Sequence, residues 1–157
     1  MRSLLLAALA LIVMAGQQVH AQSRRDLDAV ARRLAAEDRF AECPAHPEVA
    51  RSSCRRSQQR FIATYARARM GDVTAQREVA SQLATGSGPL RADGKEACAW
   101  RSIVLANQSG RRNPADQQGL DATCGALPRT EREEAEERAR LLGRAIQLDA
   151  EARAGRR

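Results

Sequence analysis

The sequence predicts an all-α fold, a short α-solenoid in which about six helices stack as antiparallel hairpins. Apolar residues recur at helical spacing over most of the chain, and no segment shows the strict alternation of a strand. Glycines and prolines divide the chain into pieces of helical length. A helical hairpin buries only one of its faces, so it needs neighbouring hairpins to bury the other.

The most regular segment is a helix, a glycine-containing turn and a second helix near the middle of the chain. Asp72 and Asp93 stand at the two predicted N-caps, where a carboxylate accepts hydrogen bonds from free backbone N–H groups. Gly86 and Gly88 permit backbone conformations that a Cβ would penalise. The residues that we assign to packing of this hairpin are Ala75, Val79, Ala80, Leu83, Gly86, Gly88, Asp93, Ala97 and Trp100.

In this order, these residues resemble the Sel-one-like repeat, a relative of the tetratricopeptide repeat. The resemblance covers roughly residues 72–110, about a quarter of the chain. Two positions depart from the family pattern, because Ala80 stands where glycine is usual and the loop before Asp93 is one residue too long. The resemblance implies a non-enzymatic scaffold that binds another protein or peptide and carries no cofactor.

Prolines and glycines also place the ends of the other predicted helices. Two prolines in the segment 43–47 end the first helix, because proline is excluded from a helix interior. Gly71 ends the second helix, and Pro114 suits the first position of the fifth. Outside the central hairpin, the predicted helices span about residues 24–42, 48–70, 114–123 and 130–152.

The last predicted helix, residues 130–152, has strong local signals. Thr130 and Glu133 have the spacing of a capping box at its start. Two pairs at i, i+4 spacing add predicted ion pairs, Glu134–Arg138 and Glu136–Arg140. We interpret this helix as a cap on the open end of the solenoid, since terminal units need a polar outer face. The alternative is the seam of a coiled-coil dimer.

Residues 1–21 have the pattern of a signal peptide, with a positively charged start and an apolar run over residues 4–15. Small residues place the predicted cleavage between Ala21 and Gln22. The apolar run is shorter than the roughly 20 residues of a spanning helix, so no transmembrane span is predicted in the mature chain. We therefore expect a single helical repeat-type domain over 22–157, periplasmic or secreted, with a retained N-terminal anchor as the alternative.

Four cysteines follow the predicted leader, and an even number in an exported chain indicates disulfides. Cys43 ends the first predicted helix and Cys54 lies early in the second. Cys98 lies in the first turn of the fourth helix and Cys124 near the end of the fifth. Antiparallel neighbours place the end of one helix beside the start of the other, which predicts the bridges Cys43–Cys54 and Cys98–Cys124. The alternative use is a metal site made of Cys43, His46 and Cys54.

The chain is basic, with a formal net charge of +7. Arg56, Arg60 and Arg67 fall within roughly 40° of one another on the second predicted helix. They form either a solvated face or a basic patch for an acidic partner, such as anionic lipids or envelope polymers. Nucleic acid is not a predicted partner, because no aromatic residues interleave these arginines as stacking platforms.

An enzymatic function has little support in the sequence. Catalysis needs positioned acids, bases or nucleophiles, and neither G-x-S-x-G nor H-E-x-x-H occurs. Glu133 and Glu136 leave one enzymatic alternative, hydrolysis of a cell-wall sugar polymer. The predicted function is a protein- or peptide-binding scaffold, with a basic envelope-adhering module as the second hypothesis.

Overall fold

The computed structural model describes residues 27–107 and 113–155. The predicted leader, its cleavage site at Ala21 and Gln22, and residues 108–110 of the repeat lie outside these residues. The described residues contain six helices and no strand, which confirms the all-α fold class, whereas solenoid stacking stays a prediction. None of the described helices has the length and apolarity needed to cross a membrane. The helices are α1 (27–36), α2 (Glu48–Arg69), α3 (Val73–Thr85), α4 (Gly94–Ala106), α5 (Pro114–Gly125) and α6 (Arg129–Ala154).

The hairpin of α3 and α4 is built by the local chemistry that its sequence predicts. Asp72 accepts a hydrogen bond of 3.0 Å from the backbone N–H of Ala75, and Asp93 caps α4 in the same way at 2.9 Å. Gly86 and Gly88 adopt φ angles of 69° and 57°, in the left-handed region that favours glycine. A Cβ on Gly86 would also lie only 3.0 Å from a backbone oxygen. Both caps and the turn therefore depend on the residues predicted for them.

Helix α1 ends at residue 36, so the predicted end at residue 42 is wrong. Asp38 adopts a φ of 50°, and the N–H of Arg39 donates to the carbonyl oxygen of Leu34 at 3.1 Å, a Schellman-type ending. The chain is then extended, because residues 39–41 form two backbone hydrogen bonds of 2.7 and 2.9 Å with residues 89–91. This pairing attaches the end of α1 to the turn between α3 and α4.

Helix α6 begins at Arg129, and Pro128 occupies the N-cap position without a side-chain cap. The extended backbone of Pro128, with φ −53° and ψ 154°, immediately precedes the helix, and its carbonyl oxygen accepts the first helical hydrogen bond. Thr130 therefore lies inside the first turn, and Glu133 pairs with Arg129 at 2.9 Å instead. The predicted capping box is wrong, because the proline sets the helix start one residue earlier.

The ion pairs predicted within α6 are also wrong, because each of these residues that forms an ion pair has a different partner. Glu134 accepts a hydrogen bond from Lys95 at 2.8 Å, and Arg138 donates to Glu96 at 2.8 Å. Arg140 pairs with the glutamate three residues before it. The contacts of Glu134 and Arg138 connect the polar side of α6 to α4, so α6 is part of the same packed unit as the central hairpin.

One hydrophobic core extends through α1, α2, α3, α4 and α6, and α4 contacts α3, α5 and α6. Trp100 is completely buried, and its ring meets that of Tyr65 edge-on at a centroid distance of 5.4 Å. Phe61 and Phe40 continue this aromatic contact toward α1, at centroid distances of 6.0 and 5.9 Å. Six hairpin residues are less than 2% exposed, as packing requires: Ala75, Val79, Ala80, Leu83, Ala97 and Trp100.

The cysteines pair as predicted, Cys43 with Cys54 and Cys98 with Cys124. The Cα atoms of the two bridges are 5.7 and 5.0 Å apart, within the normal range for disulfides. The first bridge attaches the segment after α1 to α2, and the second attaches α5 to α4. In the chain-entropy account each bridge contributes about 3 kcal/mol to the free energy of unfolding.

Truncating Trp100 tests the core directly. Trp100→Ala is expected to lower the free energy of unfolding by about 3–5 kcal/mol, because it leaves a cavity among Tyr65 and the hairpin residues. Urea unfolding followed by circular dichroism measures this change. Tryptophan fluorescence cannot be used, because Trp100 is the only tryptophan and the variant lacks it. Leu141→Ala is the matched control, because Leu141 is 56% exposed and its loss should change stability by about 0.5 kcal/mol or less. Unchanged stability of Trp100→Ala would contradict the packing role.

Candidate functional site

Helix α2 presents three different faces, and two of them are candidate binding surfaces. Phe61 and Tyr65 point into the core, where both are 2% exposed. Gln58 and Ile62 lie on a second face that borders an open groove. The arginines at 56, 60 and 67 lie on roughly the opposite side of the helix from that groove, by the 3.6-residue period. The two candidate surfaces can therefore be altered independently.

The α1–α2 groove has a volume of about 370 Å³. This size lies within the range of small-ligand pockets, and most of the groove wall is apolar. The extended segment after α1 closes one end, and the Cys43–Cys54 bridge holds that segment against α2. The side chain of Gln58 donates to the carbonyl oxygen of Ala41 across the groove at 3.5 Å. Its lining residues are Ala31, Ala35, Phe40, Ala41, Glu42, Gln58 and Ile62.

The basic face of α2 consists of Arg56, Arg60 and Arg67, and all three are exposed. Arg67 lies 3.9 Å from Asp72 and 3.8 Å from Glu78, so nearby carboxylates partly balance its charge. In the part of the chain that the structure describes, Arg56 and Arg60 have no carboxylate within 4.0 Å. The uncompensated charge of this face therefore comes mainly from these two residues.

A cluster of five charged residues joins the segment after α1 to α4 and α6, and we call it the ionic cluster. Its centre is Glu96, whose side chain is 5% exposed. Arg138 donates two hydrogen bonds to Glu96, at 2.8 and 3.2 Å. Arg39 pairs with Asp93, approaches Glu96 at 3.7 Å and donates to Glu37 at 3.1 Å. Every buried charge in this cluster has an opposite charge beside it, as burial requires.

The electrostatics of the ionic cluster favour the charged forms of its residues. Burial by itself raises the pKa of Asp93, but the hydrogen bond from the N–H of Glu96 and the Arg39 guanidinium outweigh it and lower that pKa. Burial likewise raises the pKa of Glu37, and hydrogen bonds from Arg33 and Arg39 lower it further than burial raises it. A general acid needs a carboxyl pKa raised toward neutrality, and these two pKa values move the opposite way.

Two charged residues at otherwise apolar helix positions are the sequence signal for this cluster. Glu96 lies four residues before Trp100, on the apolar stripe of α4, and Arg138 lies four residues before the buried Leu142. A charged residue on a buried stripe needs an opposite charge, so the two positions indicate buried ion pairs. Spacing alone does not show that they pair with each other.

The glutamates considered for catalysis lie apart from both candidate surfaces. Glu133 is 60% exposed and paired with Arg129, while Glu136 and His46 are also exposed. The disulfide occupies the sulfur atoms of Cys43 and Cys54, which rules out the metal site proposed with His46. Over residues 27–107 and 113–155, no cluster of three or more histidine, cysteine or acidic residues has the geometry to hold a metal ion.

Comparisons of the chain with protein-family models, with curated proteins and with solved structures find no match. The resemblance to Sel-one-like repeats therefore depends on the hairpin residues alone. Function has to be argued from the groove, the basic face and the ionic cluster.

The lowered pKa values of Asp93 and Glu37 predict a loss of stability in acid. Each group stabilises the fold above its unfolded pKa of about 4, and this contribution is lost as the pH falls through the lower folded pKa. The midpoint of thermal unfolding should therefore fall between about pH 5 and pH 2. Asp93→Asn keeps the cap but removes the charge. The midpoint of thermal unfolding of this variant should therefore be lower than that of the unsubstituted protein at neutral pH, and it should fall less in acid.

Asp38→Asn is the matched control for this experiment. Asp38 is 79% exposed and approaches Arg91 only at 3.7 Å, and asparagine also tolerates its positive φ angle. The pH dependence of its unfolding midpoint should therefore equal that of the unsubstituted protein. Parallel curves for Asp93→Asn and the unsubstituted protein would contradict the proposed contribution of the ionic cluster.

Proposed function

We propose that this protein is an exported, non-enzymatic helical scaffold that binds a segment of another protein in the α1–α2 groove. The observation that carries the proposal is the groove itself, which is open, mainly apolar and about 370 Å³ in volume, and which lies beside a disulfide. The bridge reduces the freedom of the segment that closes the groove, and a preorganised groove loses less entropy when a ligand binds. A partner would therefore bind the α1–α2 groove through complementary shape and apolar contacts.

The lining of the groove indicates the kind of segment that it accepts. Its apolar wall favours one or two apolar anchor residues, and the polar groups of Glu42 and Gln58 satisfy the ligand backbone or fix its orientation. Arg55 is exposed and lies on the same side of α2 as Ile62, by helical periodicity. We therefore propose a peptide ligand with an apolar anchor followed or preceded by an acidic residue.

The arrangement of charged groups supports a non-enzymatic role. Two carboxylates are buried in the described part of the chain, Glu96 in the ionic cluster and Asp116 on α5, and arginines pair with both. The pKa values of Asp93, Glu37 and Asp116 are all lowered. Glu133 and Glu136 project from an exposed face of α6, away from any described groove. Substituting either glutamate should leave the biological activity within about a few-fold of normal, as expected for surface positions outside a reactive centre.

A second candidate function is adhesion to anionic envelope polymers or lipids through the basic face. The observation that favours it is the exposure of Arg56 and Arg60 on α2, away from any described carboxylate. Binding of this kind depends on long-range attraction, so it weakens steeply as the salt concentration rises. Binding in the groove depends less on salt, because apolar contact supplies most of it and only one charge pair, with Arg55, is screened.

A substitution that fills the groove tests the leading proposal. Ala35→Trp places a large ring in the groove at an exposed position, so it should block the partner without unfolding the protein. Ala36→Trp is the matched control, because Ala36 is also exposed but does not line the groove. Proteins captured from envelope extract by the unsubstituted chain and by each variant are identified by mass spectrometry, and affinity is then measured with the purified partner. We expect at least about tenfold weaker binding for Ala35→Trp alone.

Charge reversal separates the second candidate from the first. Arg56→Glu combined with Arg60→Glu should leave the groove-bound partner attached, and about 0.5 M salt should not release it. Binding in the groove would be contradicted if capture failed in the charge-reversal variant or in high salt while Ala35→Trp bound normally. That result would favour adhesion through the basic face. A captured protein whose affinity all variants share would contradict both surfaces.

The proposal of export has a separate test. The two disulfides are typical of proteins that fold in an oxidising compartment. We expect the cellular protein to begin at Gln22 and to be recovered with the periplasmic or secreted fraction. Mass spectrometry of the intact, unreduced protein measures both its N-terminus and its bridges. An uncleaved chain with reduced cysteines in the cytosolic fraction would contradict export.

A further inference from the structure

Helix α5 differs from the other helices in how it is attached. A surface helix is normally held by an apolar stripe that packs against the core. The single buried residue of α5 is Asp116, and none of the described residues of α5 belongs to the hydrophobic core. Its attachment must therefore depend on other contacts.

The side chains that join α4 to the segment of α5 run in antiparallel order. Gly94, Cys98 and Arg101 lie at i, i+4 and i+7, on one face of α4. The Cβ position of Gly94 is 3.1 Å from Leu127, and Cys98 bonds to Cys124. The guanidinium of Arg101 lies against Gly119, where a Cβ would be 3.0 Å away. The disulfide is the central and only covalent contact in this series.

A salt bridge to α3 holds the other end of α5. Arg77 donates two hydrogen bonds to Asp116, at 2.8 and 2.7 Å, and the side chain of Asp116 is 7% exposed. The hydrogen bonds from Arg77 lower the pKa of Asp116, so the pair stays charged at neutral pH. The Arg77 side of this pair is 35% exposed, so solvent partly screens it, and a single ion pair holds a helix less firmly than an apolar stripe does.

The two cysteine residues of the bridge differ in exposure. Cys98 is 1% exposed on α4, whereas Cys124 is half-buried on α5. An external thiolate must approach the sulfur that it attacks, so the Cys124 side is the accessible one. When the thiolate attacks Cys124, Cys98 is the leaving group.

We propose that Cys98–Cys124 is a thiol-exchange site and that its reduction by a dithiol releases α5 from an otherwise intact fold. A thiolate of the dithiol attacks Sγ of Cys124, the disulfide breaks, and Cys98 leaves as a thiolate that takes a proton from water. The second thiol of the reductant then attacks the mixed disulfide, frees the Cys124 thiolate and leaves with a disulfide of its own. The two electrons come from the dithiol.

The structure explains why the release stays local. The core side chains come from α1, α2, α3, α4 and α6, so their contacts survive without α5. Detachment exposes Cys98 and separates Arg77 from Asp116, which adds an unpaired cation to the surface of α3. We call this bridge the α5 latch. The proposal does not depend on the α1–α2 groove or on its partner.

Hydrogen exchange measured by mass spectrometry tests the α5 latch in the full-length protein. In Cys98→Ala combined with Cys124→Ala, peptides from α5 should exchange at least about tenfold faster, while peptides from α3 and α6 keep their rates. Cys43→Ala combined with Cys54→Ala is the matched control, and its α5 peptides should exchange as in the unsubstituted protein. Unchanged protection of α5, or equal loss of protection in every helix, would overturn the proposal.

A second measurement avoids substitutions at the buried Cys98. The unsubstituted protein is incubated with reduced glutathione, quenched in acid and mapped by mass spectrometry. The expected product carries glutathione on Cys124 and a free thiol on Cys98. Glutathione on Cys98 would overturn the proposed direction of attack, and reduction by dithiothreitol that unfolds all helices together would overturn the local release.

Discussion

Burial of α4 is the constraint on which the rest of the structure depends. With only 3% aromatic residues, the chain has few side chains large enough to fill space between helices. Trp100 fills that space, and completely buried alanines such as Ala80 on α3 and Ala97 on α4 belong to the same core. Interiors pack at crystal-like density, so the positions of α2, α3 and α6 all follow from this one ring and its alanine neighbours.

The same burial determines where the charges go. The first turn of α4 carries Asp93 and Glu96 into the junction of α1, α4 and α6, where a lone carboxylate would be costly. Arg39 and Arg138 come from two different elements and compensate them. The charges of the ionic cluster therefore stabilise the fold.

Covalent bonds support the two parts that the core supports least. The segment after α1 contributes Phe40 at the edge of the core and is held to α2 by Cys43–Cys54. Helix α5 contributes nothing to the core and is held by Cys98–Cys124. One bridge thus fixes the wall of the candidate binding groove, while the other holds a helix that contributes no side chain to the core. A small helical domain with a modest core gains most from bridges at such places.

The sequence by itself determined the features that depend on neighbouring residues. The caps at Asp72 and Asp93, the turn at Gly86 and Gly88, and the cysteine pairs between successive helices all follow from local spacing. Only the tertiary structure decided that α1 ends early against the α3–α4 turn, that Arg138 binds Glu96, and that a groove opens beside α2. These features join residues far apart in the chain, and their distances depend on how the buried side chains pack, which helical periodicity does not specify.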